Sequence, residues 1–260
     1  MTMKFQKEHY KVNGTPVVVL TVGQGAEIVF LHGAGTFPGF AATLPWANTN
    51  KVIIPYHANF GLSGSSKVVQ SIDDHVLHYM DLFDQMQLER FNLAGFSMGG
   101  WIAAEFAIRQ PQRLKSLTLI APAGLVIEEI EQPNLLELPP EELPAYLTHD
   151  PTVAASFLPA TPDPDFEAQL GREMQGLAAA LSESPKGNPR LKNWLYRAKM
   201  PTHLVWGEND RLLPIALADH WQKHLPNADV HRLSRTGHLV LEENPMAAQL
   251  VLDLLQIPPS

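Results

Sequence analysis

Phe91-Asn-Leu-Ala-Gly95-Phe-Ser97-Met-Gly99-Gly100 is the stretch on which the reading of this 260-residue chain turns. Phe91 to Ala94 is a short apolar run of strand character, Trp101 to Arg109 has helical character, and Ser97 falls between them with a glycine two residues away on each side. A serine on a sharp strand-to-helix turn is pushed toward solvent in a strained backbone conformation, and flanking glycines let the neighbouring backbone pack closely. Ser97 is therefore the candidate nucleophile, provided that a base lies within hydrogen-bond reach.

Working outward, further apolar runs at Pro16 to Val22, Glu27 to Leu31, Val52 to Pro55, Leu117 to Ile120, His203 to Trp206 and Asp229 to Leu233 read as buried strands. Helical patterns separate several of them. After Ser71, which pairs with Asp74 in capping-box fashion, Ile72, Val76, Tyr79, Met80, Phe83 and Met86 line one face. A last helix is expected near Asn244, with Pro245 at its first position. Asn13-Gly14 marks an antiparallel hairpin at one edge. Strands alternating with helices predict an α/β fold with a doubly wound, mostly parallel sheet.

The alternation stops between residues 124 and 188, a proline-rich stretch with helical pieces such as Asp165 to Leu181. From Gly124 to Ser184 it carries 12 acidic residues against one basic residue, Arg172. Leu135, Leu136, Tyr146, Phe157, Leu158, Phe166 and Leu170 supply apolar faces, so the stretch is expected to be a helical cap inserted into a core formed by residues 1–123 and 189–260. Both of its ends should emerge at the active edge of the sheet, with Tyr146, Phe157 and Phe166 lining an acyl pocket and the acidic excess facing solvent.

Composition narrows the function classes. A net charge of -8 gives binding to nucleic acid or to anionic membrane no electrostatic basis, and a small neutral molecule is the expected partner. The N-terminal stretch has no secretory apolar run and no segment reaches membrane-spanning length, which predicts a cytoplasmic address. With no cysteine, disulfides and thiolate chemistry are excluded. Oligomeric state leaves no signature.

Among 11 histidines, His238 lies in a loop after the strand Asp229 to Leu233, at the carboxyl edge where open α/β sheets place their sites, and is the candidate base. A histidine base needs an anion to hold its tautomer. Asp210 follows the strand His203 to Trp206 at the same edge and is the candidate acid, with Glu208 as its competitor. For a developing oxyanion, the backbone N–H groups of Ala34, in His32-Gly-Ala-Gly35, and of Met98 are the candidate donors. This chemistry needs neither metal nor cofactor. His220 and His224 have the spacing of a zinc pair but lack a third ligand, and a solvated helix face is the expectation for them and for His75 and His78. Trp101 reads as core packing close enough to the nucleophile to touch substrate.

H-G-A-G at residues 32–35, G-F-S-M-G-G at 95–100, W-G-E-N-D-R-L-L-P at 206–214 and G-H at 237–238 together resemble the α/β-hydrolases with a helical cap, over essentially the whole chain. The resemblance implies, in that order, an oxyanion donor, the nucleophile Ser97, the acid Asp210 and the base His238. It implies a carboxylesterase-like enzyme acting through an acyl-enzyme on small, largely apolar esters. Carbon–carbon hydrolysis of a vinylogous diketone, and ligand binding without catalysis, are the alternatives that the same fold hosts. The segment His57-Ala-Asn-Phe-Gly61 departs from the family in that Asn59 replaces a glycine.

Overall fold

A computed structural model describes residues 3–256. Eight strands form one sheet: β1 (Gln6–Val12), β2 (Thr15–Val22), β3 (Ala26–Leu31), β4 (Asn50–Pro55), β5 (Phe91–Phe96), β6 (Leu114–Ile120), β7 (Thr202–Gly207) and β8 (Ala228–Leu233). Their spatial order is β1-β2-β4-β3-β5-β6-β7-β8. The β1–β2 and β2–β4 pairs are antiparallel and the remaining pairs parallel, so the predicted hairpin stands at the edge of an otherwise parallel sheet.

The helices follow the sequence signals. In α1 (Ile72–Gln85), Ser71 caps by accepting from the Asp74 N–H, and Ile72, Val76, Tyr79 and Phe83 are buried. Its amphipathic face is wider than expected. His75 and His78, expected on a solvated face, are instead buried, and the His75 ring packs against those of His57 and Phe60 in the segment after β4, while α1 also packs against α2 (Met98–Arg109). The C-terminal stretch divides into α7 (Val240–Glu243) and α8 (Ala247–Gln256), with the Asn244 side chain accepting from the Met246 N–H. β8 reads as a buried strand but is only partly covered, since it forms the far edge of the sheet.

Between β6 and β7 the chain contains α3 (Leu143–Leu147), α4 (Pro151–Ala155) and α5 (Pro164–Leu181). A parallel bridge between Leu125 and Asn188 ties the two ends of this insertion together close to Ser97, whose carbonyl accepts from the Ala123 N–H. None of the seven apolar residues expected to bury it is fully buried: Leu136 and Leu158 are exposed and the other five are partly covered. Leu125, Ile127, Leu147, Ala154, Leu177 and Ala180 are the insertion residues that join the core. The segment lies over a hollow, and several of its leucines face that hollow. Among the described residues no helix is long and apolar enough to cross a membrane.

Candidate active site

Ser97 sits between β5 and α2 at φ 52°, ψ −118°, a left-handed conformation that side-chain-bearing residues rarely adopt. The turn closes because Gly99 has no side chain: a Cβ there would run into the carbonyl oxygens of Leu31 and His32. Ser97 N–H donates to the Ile120 carbonyl, and Ser97 C=O accepts from Trp101 and Ala123, so the strained residue is held from both sides.

The predicted residues meet at the carboxyl edge of the sheet. His238 Nε2 lies 3.0 Å from Ser97 Oγ, and His238 Nδ1 lies 2.8 Å from Asp210 Oδ2. Asp210 is anchored by its other oxygen, which accepts from the Leu212 and Leu213 N–H groups at 2.9 and 2.8 Å. These bonds aim the carboxylate at the imidazole and fix the proton on Nδ1, which leaves the Nε2 lone pair facing the serine. Asp210 and His238 are buried, whereas the competing Glu208 is exposed. His238 is further fixed by its neighbours: the Gly237 N–H donates to Glu243, and the Leu239 N–H donates to the Leu147 carbonyl of the insertion.

Ala34 and Met98, the predicted oxyanion donors, both line the cavity beside Ser97. Below them, a neutral network shapes the His32-Gly33 turn. Tyr79 Oη donates to His57 Nδ1, His57 Nε2–H donates to the His32 carbonyl at 2.7 Å, and the His57 N–H donates to His32 Nε2 at 3.0 Å. His32 Nδ1–H then donates to the Gly33 carbonyl at 2.6 Å. Burial drives the His32 pKa down to about 3, and burial together with the neighbouring His32 holds His57 well below the ordinary histidine range.

Two chambers open on Ser97. One, of about 310 Å³, is walled by Phe37, Leu135, Leu143, Leu147, Leu170 and Met174 among others and is almost wholly apolar. Besides His32, Ser97 and His238, its wall carries Glu242, whose carboxyl is pushed up to about 7 by burial against smaller opposing effects of a backbone hydrogen bond and of His238. The second chamber, of about 810 Å³, is bounded by Met98, Trp101, Ile127 and Leu177 and rimmed by Glu128, Glu129, Glu131, Glu137 and Lys186. Trp101 is buried and also lines this chamber. Tyr146, Phe157 and Phe166 line neither chamber. His220 and His224 stand partly exposed on α6 (Ala216–His224).

Sequence reasoning missed two acidic residues. Glu242 lies on a four-residue helix too short to show a facing pattern. Glu173 belongs to an acidic insertion expected to turn its charges outward, yet it is buried. Its spacing from Gln169 and Gly176 along α5 was the available signal.

This architecture and site are those of a hydrolase with the α/β-hydrolase fold. Residues 28–249 match the Alpha/beta hydrolase family, and the chain belongs to that family. It is 30% identical to a 2-hydroxy-6-oxononadienedioate/2-hydroxy-6-oxononatrienedioate hydrolase of Paraburkholderia xenovorans, over 83% of this chain and 82% of that protein. A monoacylglycerol lipase of Homo sapiens is 26% identical, over 95% of this chain and 78% of the lipase. In fold, the chain is similar to a 2-hydroxy-6-oxo-6-phenylhexa-2,4-dienoate hydrolase from a Rhodococcus strain, with a TM-score of 0.80 at 20% identity, covering 98% of this chain and 100% of the other.

Proposed function

We propose that the protein hydrolyses small, neutral, largely apolar carboxylic esters, with Ser97 as nucleophile, His238 as general base and Asp210 as the residue that orients it. The observation that carries this reading is the unbroken Asp210–His238–Ser97 chain opening on an apolar chamber. Ser97 Oγ attacks the ester carbonyl as His238 Nε2 takes its proton, and the negative charge moves to the carbonyl oxygen, where the Ala34 and Met98 N–H groups receive it. His238 returns the proton to the departing alcohol. It then draws a proton from water, whose oxygen attacks the acyl carbonyl, and passes that proton to Ser97 Oγ as the carboxylic acid departs. No step calls for a metal or a cofactor. Residues 124–188 act as the cap that encloses the acyl group, with Leu135, Leu143 and Leu170 on its inner side.

The names of the bacterial relatives favour a second reading, hydrolysis of a carbon–carbon bond in a 2-hydroxy-6-oxo-dienoate. Such substrates carry carboxylates, which proteins recognise with Arg or Lys. Among the described residues, the smaller chamber has neither on its wall, and the larger one sets Lys186 against four glutamates. That balance supports the neutral ester. The test is a panel of p-nitrophenyl esters beside a 2-hydroxy-6-oxo-dienoate, each with wild type and Ser97→Ala. Multiple turnover of esters, lost in the variant, is the expected result. Faster turnover of the dienoate reassigns the reaction, and binding without turnover of either class reassigns the protein as a binding module.

A further inference from the structure

Helix α5 of the insertion presents a row of residues one helical turn apart to the two loops that flank the candidate oxyanion site. Glu173, buried, is the centre of the row. Its carboxylate accepts from the Thr36 N–H at 3.0 Å, from Thr36 Oγ1 at 2.5 Å and from the Gly61 N–H at 2.9 Å. Gln169 Nε2 bridges to Thr36 Oγ1 at 2.9 Å and to Glu173 at 3.1 Å, and Arg172 donates to the Gly61 carbonyl. One turn further on, Gly176 lets the helix settle on the second loop, since a Cβ there would stand 2.9 Å from that of Asn59.

This contact accounts for Asn59, the residue that departs from the family pattern. It holds φ 74°, the left-handed conformation a glycine takes without strain, and is stabilised there by its own side chain. Asn59 Oδ1 accepts from the Ser66 N–H at 2.7 Å, and Nδ2 donates to the Val69 carbonyl at 3.1 Å. The loop is thereby fixed in a shape that offers the Gly61 N–H to Glu173.

A buried carboxylate that draws three donors from two other segments, and a fourth from its own helix, does more than close a surface. Thr36 lies two residues beyond Ala34, at the end of the loop whose other end is held by His57. We propose that Glu173 is a positioning residue: from the insertion it clamps the Thr36 end of the loop that presents the Ala34 N–H, so that the oxyanion site takes its working shape only when α5 is seated. The clamp rests on the serine-hydrolase reading. Charge-assisted bonds of this kind are strong, and removing the acceptor leaves the buried Thr36 and Gly61 N–H groups unpaired. The loop then relaxes toward other partners, and the Ala34 N–H moves with it.

The experiment compares wild type, Glu173→Ala, Glu173→Gln and Ala180→Gly, the last a substitution that weakens the same helix at a buried position outside both chambers. For each, kcat and KM on a neutral ester are measured beside Ki for an aryl trifluoromethyl ketone, whose hemiketal with Ser97 places an oxyanion in the same site. Thermal unfolding is followed in parallel. Glu173→Ala is expected to lower kcat about 10- to 100-fold and to raise Ki by the same factor, with KM within about threefold. Glu173→Gln, which keeps one carbonyl oxygen as acceptor, should recover part of both, and it carries the test if the alanine variant does not fold. Ala180→Gly should lower Tm while leaving kcat and Ki in place. Unmoved kcat and Ki in both Glu173 variants would overturn the clamp, as would equal losses in Ala180→Gly. Fluorophosphonate labelling of wild type separates the two levels: Ser97 labelled with Ki unmoved removes the clamp alone, and no labelling of Ser97 removes the hydrolase reading and the clamp with it.

Discussion

Acid should unfold this protein through a small set of neutral histidines, and His75 allows the effect to be isolated. His32, His57 and His75 are buried together, with the His57 ring centre 3.8 Å from that of His32 and 5.5 Å from that of His75. Burial is the leading cause of depression in all three pKa values, and the mutual repulsion of their charged forms adds to it. In the unfolded chain each titrates near 6.5. The unfolded state therefore binds more protons below that value, so stability is complete above about pH 6.5 and falls as pH drops toward the folded-state values, about 3 for His32. Each such group contributes a slope of about 1.4 kcal/mol per pH unit, and three together about 4. A typical margin of about 5–15 kcal/mol is then consumed within a few pH units. Neither ring nitrogen of His75 has a hydrogen-bond partner among the described residues, so His75→Leu removes a proton-binding group without breaking a bond. Guanidinium unfolding between about pH 7 and pH 4.5 should show the slope reduced by about 1.4 kcal/mol per unit, with stability at pH 7 changed by no more than about 1 kcal/mol. An unchanged slope would mean that His75 already accepts its proton in the folded state, and the reasoning would be wrong.

Three further outcomes follow from the site. Asp210→Asn should leave a folded protein with kcat lowered by about 10⁴, as expected when the histidine tautomer is lost, while Glu208→Gln stays near wild type because Glu208 is exposed; steady-state kinetics of both variants checks this. Because burial raises the Glu242 pKa to about 7, this carboxyl is neutral below that pH and charged above it, so discrimination against esters with an anionic acyl tail should grow as pH rises from about 6 to 8. Glu242→Gln should flatten that dependence, read as the ratio of kcat/KM for the neutral and anionic esters. Leu143→Ala widens the apolar chamber and should shift preference to longer acyl chains, whereas alanine at Tyr146, Phe157 or Phe166, which line neither chamber, should leave the chain-length profile in place.

What could be read from the sequence was what is encoded over a few neighbouring residues. The strand-serine-helix turn, the capped start of α1 and the placement of Asp210 and His238 just beyond strand ends are each local, and the structure brings these residues within hydrogen-bond distance. The capping signal at Ser71 depends on a residue three positions away, so it needed no knowledge of the fold. Contacts that depend on distant segments were invisible. His75 looks like a polar position on a helix until His57 and Phe60 cover it, and β8 looks like an interior strand until it turns out to have no neighbour on its far side among the described residues. Glu173 is one acid among many in its segment, and only the approach of Thr36 and Gly61, more than a hundred residues away in the chain, distinguishes it. Of the apolar residues of the insertion expected in the acyl pocket, Leu135 and Leu170 line the chamber, whereas Tyr146, Phe157 and Phe166 do not, and which of them face inward depends on how the segment folds rather than on hydrophobicity.

Covalent labelling tests the central claim most directly. An activated serine hydroxyl attacks the phosphorus of a fluorophosphonate as it attacks a carbonyl carbon, expelling fluoride, and the adduct survives peptide mapping. Intact mass should show one adduct per chain, mapped to Ser97, with labelling abolished in His238→Ala. An adduct on any other serine, or undiminished labelling of Ser97 in His238→Ala, would contradict the assignment of nucleophile and base.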